Sequence, residues 1–223
     1  MHIEPGIVDG AKIALGHATA AAAAATVLWQ ARSDIRAGGI APFALRSAVA
    51  ALGTLICFEI LPHFSAGVSE VHFILATTLF LILGAAPAAV GLAGGLLLQG
   101  LVLSPSDLPQ LGMNLTTLLV PLLVLAAAAR RIVAPGTAYV DLRYTQVLAM
   151  SAIYQGGVVA WVAFWVTWGQ GFGAETMAGI GAFAAAYAVV LIIEPLADLG
   201  ALALARRLRG RTALLDARLF RGA

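Results

Sequence analysis

The chain has 223 residues, 61% of them hydrophobic and only 11% charged, with one cysteine and a formal net charge of +2. Soluble domains carry about 25% charged residues, so this is an integral membrane protein. A net charge this small gives no basis for nucleic-acid binding, and one cysteine excludes a disulfide within the chain. Long Ala, Leu, Val and Ile runs without period-two alternation exclude a transmembrane barrel and predict an all-α bundle.

A spanning helix needs roughly 20 apolar residues, and seven such stretches follow one another. The first, at about 11–31, is Ala-rich and ends at Trp29 and Arg32. The second, about 43–61, ends at Pro62. The third, about 71–86, is short and ends at Gly84 and Pro87. The fourth, about 88–103, stops at Ser104-Pro105. The fifth, about 113–133, ends at Arg130-Arg131 and Pro135. The sixth, about 144–168, carries Trp161, Trp165 and Trp168, which suit an interfacial belt or simple packing equally well. The seventh, about 176–194, meets Glu194-Pro195, where it is expected to end or kink, with a surface helix at 196–209 beyond it.

Arginine placement sets the expected orientation. Arg32, Arg36 and Arg46 fall between spans one and two, and Arg130, Arg131 and Arg143 between five and six. Arg206, Arg207, Arg209, Arg211, Arg218 and Arg221 follow span seven. The other loops hold Glu59, His63, Glu70, Asp107 and Glu175, with no Arg or Lys. The pattern predicts an external N-terminus and a cytoplasmic C-terminus. The polar start lacks the basic, apolar and small-residue order of a secretory signal. The Arg/Ala/Gly bias suits a GC-rich bacterial genome, and hence a multi-pass protein of a bacterial inner (plasma) membrane.

The opening Met1-His2 carries chemistry. A free α-amine, the amide nitrogen of residue 2 and the imidazole Nδ1 of His2 can chelate one ion through five- and six-membered rings. Three coplanar nitrogens favour Ni(II) or Cu(II), with Co(II) a relative, and a fourth nitrogen completes the square. His63 and His72, in "LPHFSAGVSEVHFILATT", are the sources for it. A polar, ionisable segment leading into a short apolar span predicts a loop that folds back into the bundle, and ionisable residues at membrane depth are usually functional. The pattern is not H-E-x-x-H, which argues against a zinc protease.

Met1-His2-Ile3, the Ser/His segment opening span three and "LLLQGLVLSPSDLPQLGMN" together resemble the CbiM/NikM-type cobalt/nickel substrate-binding (S) components of energy-coupling factor transporters. The resemblance covers most of the chain. It implies that the N-terminal segment tucks into the bundle. It implies that the ion is held by the Met1 amine, the His2 amide and imidazole nitrogens, and a histidine from the loop before span three. On this sequence that histidine is His72, because "GVSEVHF" matches the family's Ser-x-Ser-His stretch best, with His63 in reserve. Leu111-Gly112-Met113-Asn114 stands where the family has Leu-Gly-x-Asn, so Asn114, with Ser69, is expected to orient a ligand or gate the loop. The chain departs from the family in the order Glu4-Pro5-Gly6, in Glu70-Val71 between Ser69 and His72, in Phe73-Ile74 where glycines usually follow, and in "LTTLLVP" after Asn114.

These readings give one transmembrane domain over 1–223: a metal-binding segment at 1–10, a helical bundle at 11–205 and a basic cytoplasmic tail at 206–223. The ion, Ni2+ or Co2+, is substrate, and no cofactor is expected. With no P-loop, the chain is expected not to be an enzyme. The resemblance implies a coupling membrane (T) component, separate ATPase subunits and a small accessory membrane subunit as partners within the lipid bilayer. The competing reading is an S-component-like subunit for a small organic nutrient. Several residues are expected to have lesser roles. The Ala20–Ala25 run forms a smooth face for a partner or for packing within the bundle. Glu194 and Asp198, four apart, form a solvated pair or meet arginines of the tail. Glu59 reaches the interface, Lys12 and His17 are minor ligand candidates, and Cys57 packs.

Overall fold

The computed structural model describes residues 3, 5–209, 215 and 219–220. Among them, seven α-helices form an all-α bundle: α1 (Ile13–Gly38), α2 (Ile40–Leu55), α3 (Ala76–Leu83), α4 (Ala85–Val102), α5 (Leu111–Ile132), α6 (Tyr144–Gln170) and α7 (Ala174–Arg207). Taken with their flanking turns, the six other than α3 are long and apolar enough to cross a membrane. Small residues bring the helices close. The Gly91 and Gly95 positions of α4 lie against Ala50 and Thr54 of α2, where a Cβ would collide. In lipid such close backbone packing replaces the hydrophobic drive as the source of helix association. Of the three tryptophans in α6, Trp165 is fully buried and belongs to the core, while Trp168 is exposed.

The third expected span takes a different form. Its apolar run is split into a β-hairpin, a non-helical stretch and a short helix. Strand β1 (Phe64–Ala66) pairs antiparallel with β2 (Ser69–Val71), with Phe64 opposite Val71 and Ala66 opposite Ser69. Residues 72–75 are not helical, and α3 has only 8 residues. At 1.5 Å per residue it is about 12 Å long, well short of a hydrocarbon core of about 30 Å. Gly84, at φ 100°, then turns the chain into α4, a conformation that costs a residue without a Cβ little.

A half-length helix exposes orphan amides at one end and orphan carbonyls at the other. Both ends of α3 meet buried ionisable side chains. Leu75 N–H donates to Glu194 Oε1 at 3.0 Å. At the other end Arg46 Nη1 donates to the Leu83 carbonyl at 2.9 Å. An acidic group at a helix N-terminus and a basic one at its C-terminus both complement the helix dipole. Arg46 is therefore not a loop residue, as its position in sequence suggested. Only Gly39, at φ 89°, separates α1 from α2, so Arg46 lies within α2. There it is buried and paired with Asp34 at 3.0 Å.

The seventh expected span also runs further than its proline suggested. α7 is continuous through Pro195 to Arg207, 34 residues in all, and leaves no separate helix at 196–209. A proline within a helix forfeits one amide bond and crowds the preceding turn. Here Pro195 is buried beside Glu194, and packing keeps the helix intact. At about 51 Å the helix exceeds a bilayer core.

Candidate functional site

The N-terminal segment is anchored inside the bundle at residue 3. Ile3 is fully buried, and its backbone N–H donates to Asn114 Oδ1 at 2.8 Å. Asn114 sits in the first turn of α5 because Gly112 lets α1 lie directly against that turn. A Cβ at Gly112 would come within 2.7 Å of the Gly16 backbone. Further along, Val8 is buried and Pro5 pairs with it in an isolated bridge. The Ile7 carbonyl lies so close to Gly169 that a side chain there would overlap it. Lys12 Nζ donates to the Gly169 carbonyl at 3.1 Å, and Trp168 Nε1 donates to the Lys12 carbonyl at 3.4 Å. The end of α6 thus holds the segment down. Met1, His2 and Glu4 lie outside the described residues.

The hairpin delivers the two histidines to one place. Its register puts residue 63 opposite residue 72, and the two imidazoles stack with centroids 5.0 Å apart and planes at 18°. They differ in depth. His72 is 1% exposed and His63 is exposed. Phe58, in the π-turn (Ile56–Ile60) that ends the α2 span, meets the His72 ring edge-on at 5.0 Å. His72 Nε2 lies 3.1 Å from Glu70 Oε2. His63 Nδ1 lies 3.3 Å from the Leu61 carbonyl oxygen, an acceptor, so Nδ1 carries the proton there. Ser69 is buried in β2. Ile3, Val71, Ile74 and Met113 belong to one continuous apolar core, so the anchored N-terminal segment, the His72 segment and the start of α5 share a single interior. Among the described residues, no three His, Cys, Asp or Glu side chains form a group that could hold a metal ion.

Glu194 and Asp198 are not a solvated pair. They are 0% and 1% exposed. Glu194 Oε1 accepts from Leu75 N–H, and Oε2 accepts from Gln155 Nε2 of α6. Asp198 Oδ1 accepts from the Thr78 hydroxyl in the first turn of α3. Both carboxylates meet donors at the start of the half-helix, the Leu75 amide and the Thr78 hydroxyl; i,i+4 spacing alone fits a wet face equally well. Glu59, exposed, takes a hydrogen bond from Gln99 Nε2 at 2.6 Å. His17 is exposed, Lys12 is committed to Gly169, and Cys57 is buried and free. Sequence reasoning missed Glu70 and Phe58 as neighbours of His72, and Gly169 as the seat of the N-terminal segment. A crevice of about 710 Å³ opens between Ile7, Val68, Gln170 and Glu175, with neither histidine in its lining.

Two crystal structures share this fold. One, of a truncated transition metal transporter, superposes with a TM-score of 0.70 at 19% identity, covering 94% of this chain and 99% of that one. The other, of a transition metal transporter, gives 0.68 at 18% identity and covers 93% of each. No curated protein matches the chain. The family model for the cobalt uptake substrate-specific transmembrane region (CbiM) matches residues 2–212. With that match over nearly its whole length, and with a helical bundle whose N-terminal segment is tied to Asn114, the chain belongs to the CbiM family of substrate-specific transmembrane regions for cobalt uptake.

Proposed function

We propose that this chain is the substrate-capture membrane subunit of an energy-coupling factor importer for a divalent transition-metal ion, nickel or cobalt. In this reading the ion meets the Met1 amine, the His2 amide and imidazole nitrogens, and the His72 imidazole, on the external face of a bacterial inner membrane. A coupling membrane protein and separate ATPase subunits supply the energy. The observation that carries the reading is the Ile3–Asn114 hydrogen bond. It ties the residue directly after His2 into the core that also contains the neighbours of His72.

The chemistry follows from the donor types. An α-amine and a peptide amide must each lose a proton to bind, and an imidazole must be neutral, so binding releases protons. The Glu70 carboxylate only accepts, so in the neutral ring it fixes the His72 proton on Nε2. The lone pair for the ion is then on Nδ1, the arrangement in which a carboxylate orients a ligating imidazole. His63, exposed and stacked over His72, covers the site as a rim residue. The four nitrogens form a square for an ion of tetragonal preference.

The test is calorimetric titration of Ni(II) and Co(II) into purified protein with a free N-terminus. His2→Ala, or one extra residue before Met1, abolishes binding and leaves the thermal transition in place. Unchanged affinity in both variants defeats the ligand assignment.

A further inference from the structure

The segment that presents His72 ends in a strained residue. Leu75 sits at φ 52°, and among the described residues it is the only non-glycine with positive φ. A side chain in the left-handed region crowds its Cβ against the following carbonyl and persists only where the surroundings enforce it. The enforcing contact is visible: the Leu75 N–H donates to Glu194 Oε1. Glu194 is itself held by Gln155. One turn further along α7, Asp198 takes the Thr78 hydroxyl. Two rungs, four residues apart on α7, therefore fix the entry into α3. Neither carboxylate has a Lys, Arg or His in salt-bridge range among the described residues.

We propose that Glu194 is a positioning residue for ion capture. By accepting the Leu75 amide, this α7 carboxylate holds residues 72–75 in the shape that presents the His72 ring beside the N-terminal segment. The proposal rests on His72 as a ligand. Loosening the contact weakens binding while every ligand remains in the chain.

Glu194→Met keeps the length of the side chain but removes the acceptor. Glu194→Gln keeps an acceptor oxygen for Leu75. Its new amide group can donate to Gln155 Oε1, which has no partner among the described residues, once that amide flips. Hydrogen exchange at the Leu75 amide, in metal-free protein, and Ni(II) affinity are measured for the full chain and both variants. Glu194→Met is expected to speed Leu75 exchange at least tenfold and to weaken Ni(II) binding at least tenfold at unchanged stoichiometry. Glu194→Gln is expected to stay within threefold of the parent in both.

A purely structural role would lower the melting temperature of Glu194→Met and leave the affinity of the folded protein intact; that result overturns the proposal. Equal loss in both variants overturns it too, because charge rather than the hydrogen bond would then be responsible. Should Glu194→Met not fold, Gln155→Leu, which frees one oxygen of Glu194, takes its place with the same criteria. A parent chain that binds neither ion defeats the capture reading and the proposal with it. Unchanged Leu75 exchange defeats the clamp alone.

Discussion

Asn114 shows how much one side chain can decide. Its Oδ1 takes the Ile3 amide in a fully buried setting. Leaving such a donor unpaired costs about 1–3 kcal/mol. Asn114→Leu is close in size and cannot accept. It is expected to lower Ni(II) affinity by roughly 5- to 150-fold, the same energy read as an equilibrium, while Asn114→Asp retains most of it; calorimetry on the two variants checks this. Asn114 was legible because a short motif marks it. Glu194 was not, because its partner Leu75 lies 119 residues away, and a carboxylate four residues from another carboxylate looks the same on a wet face. His72 and His63 were both legible as imidazoles. Their order in depth depends on a strand register that no local pattern encodes.

At the scale of elements, the long helices were readable because an apolar run of that length has few other uses. The third was not, because hydropathy reports how apolar a segment is and is silent on whether its amides are satisfied by its own turns or by a neighbour. The helix starts only at Ala76, and the Leu75 amide before it, in the left-handed region, is served from outside by Glu194. For the same reason Pro195 does not break α7: buried packing outweighs one missing amide bond. The N-terminal segment is likewise held by an element rather than by its own sequence. Gly169→Val would push the Ile7 carbonyl off the end of α6. The expected result is at least a tenfold loss of Ni(II) affinity with a folded bundle. Faster exchange of the Val8 amide, buried in the parent, checks that the segment has moved. Unaltered binding would show that the segment docks without this seat.

For the whole molecule, the capture reading makes the fold a socket for one ion. Among the described residues, α2, α4, α5, α6 and α7 pack against a half-helix whose two ends meet Glu194 and Arg46, and the His72 segment leads into that half-helix. Arg46 couples it to α1 through Asp34. Arg46 is buried and also serves the Leu83 carbonyl, and leaving that acceptor unpaired costs about 1–3 kcal/mol, so Arg46→Ala is expected to lower the melting temperature more than any ligand substitution does. Proton release gives a second global signature. Free α-amines titrate near about 8 and imidazoles near about 6.5. Apparent affinity should therefore rise with pH, by up to about two decades per unit between about pH 6.5 and 8, where amine and amide protons are displaced. A pH-independent affinity would exclude an amine–amide chelate.

The most direct measurement is X-ray absorption on the Ni(II)-loaded protein, parent and variants. The account predicts four nitrogen neighbours in a square-planar edge signature. One imidazole is lost in His72→Ala, and all four neighbours are kept in His63→Ala. An ion ringed by oxygen, or one whose ligands are the same after His72→Ala, would contradict it.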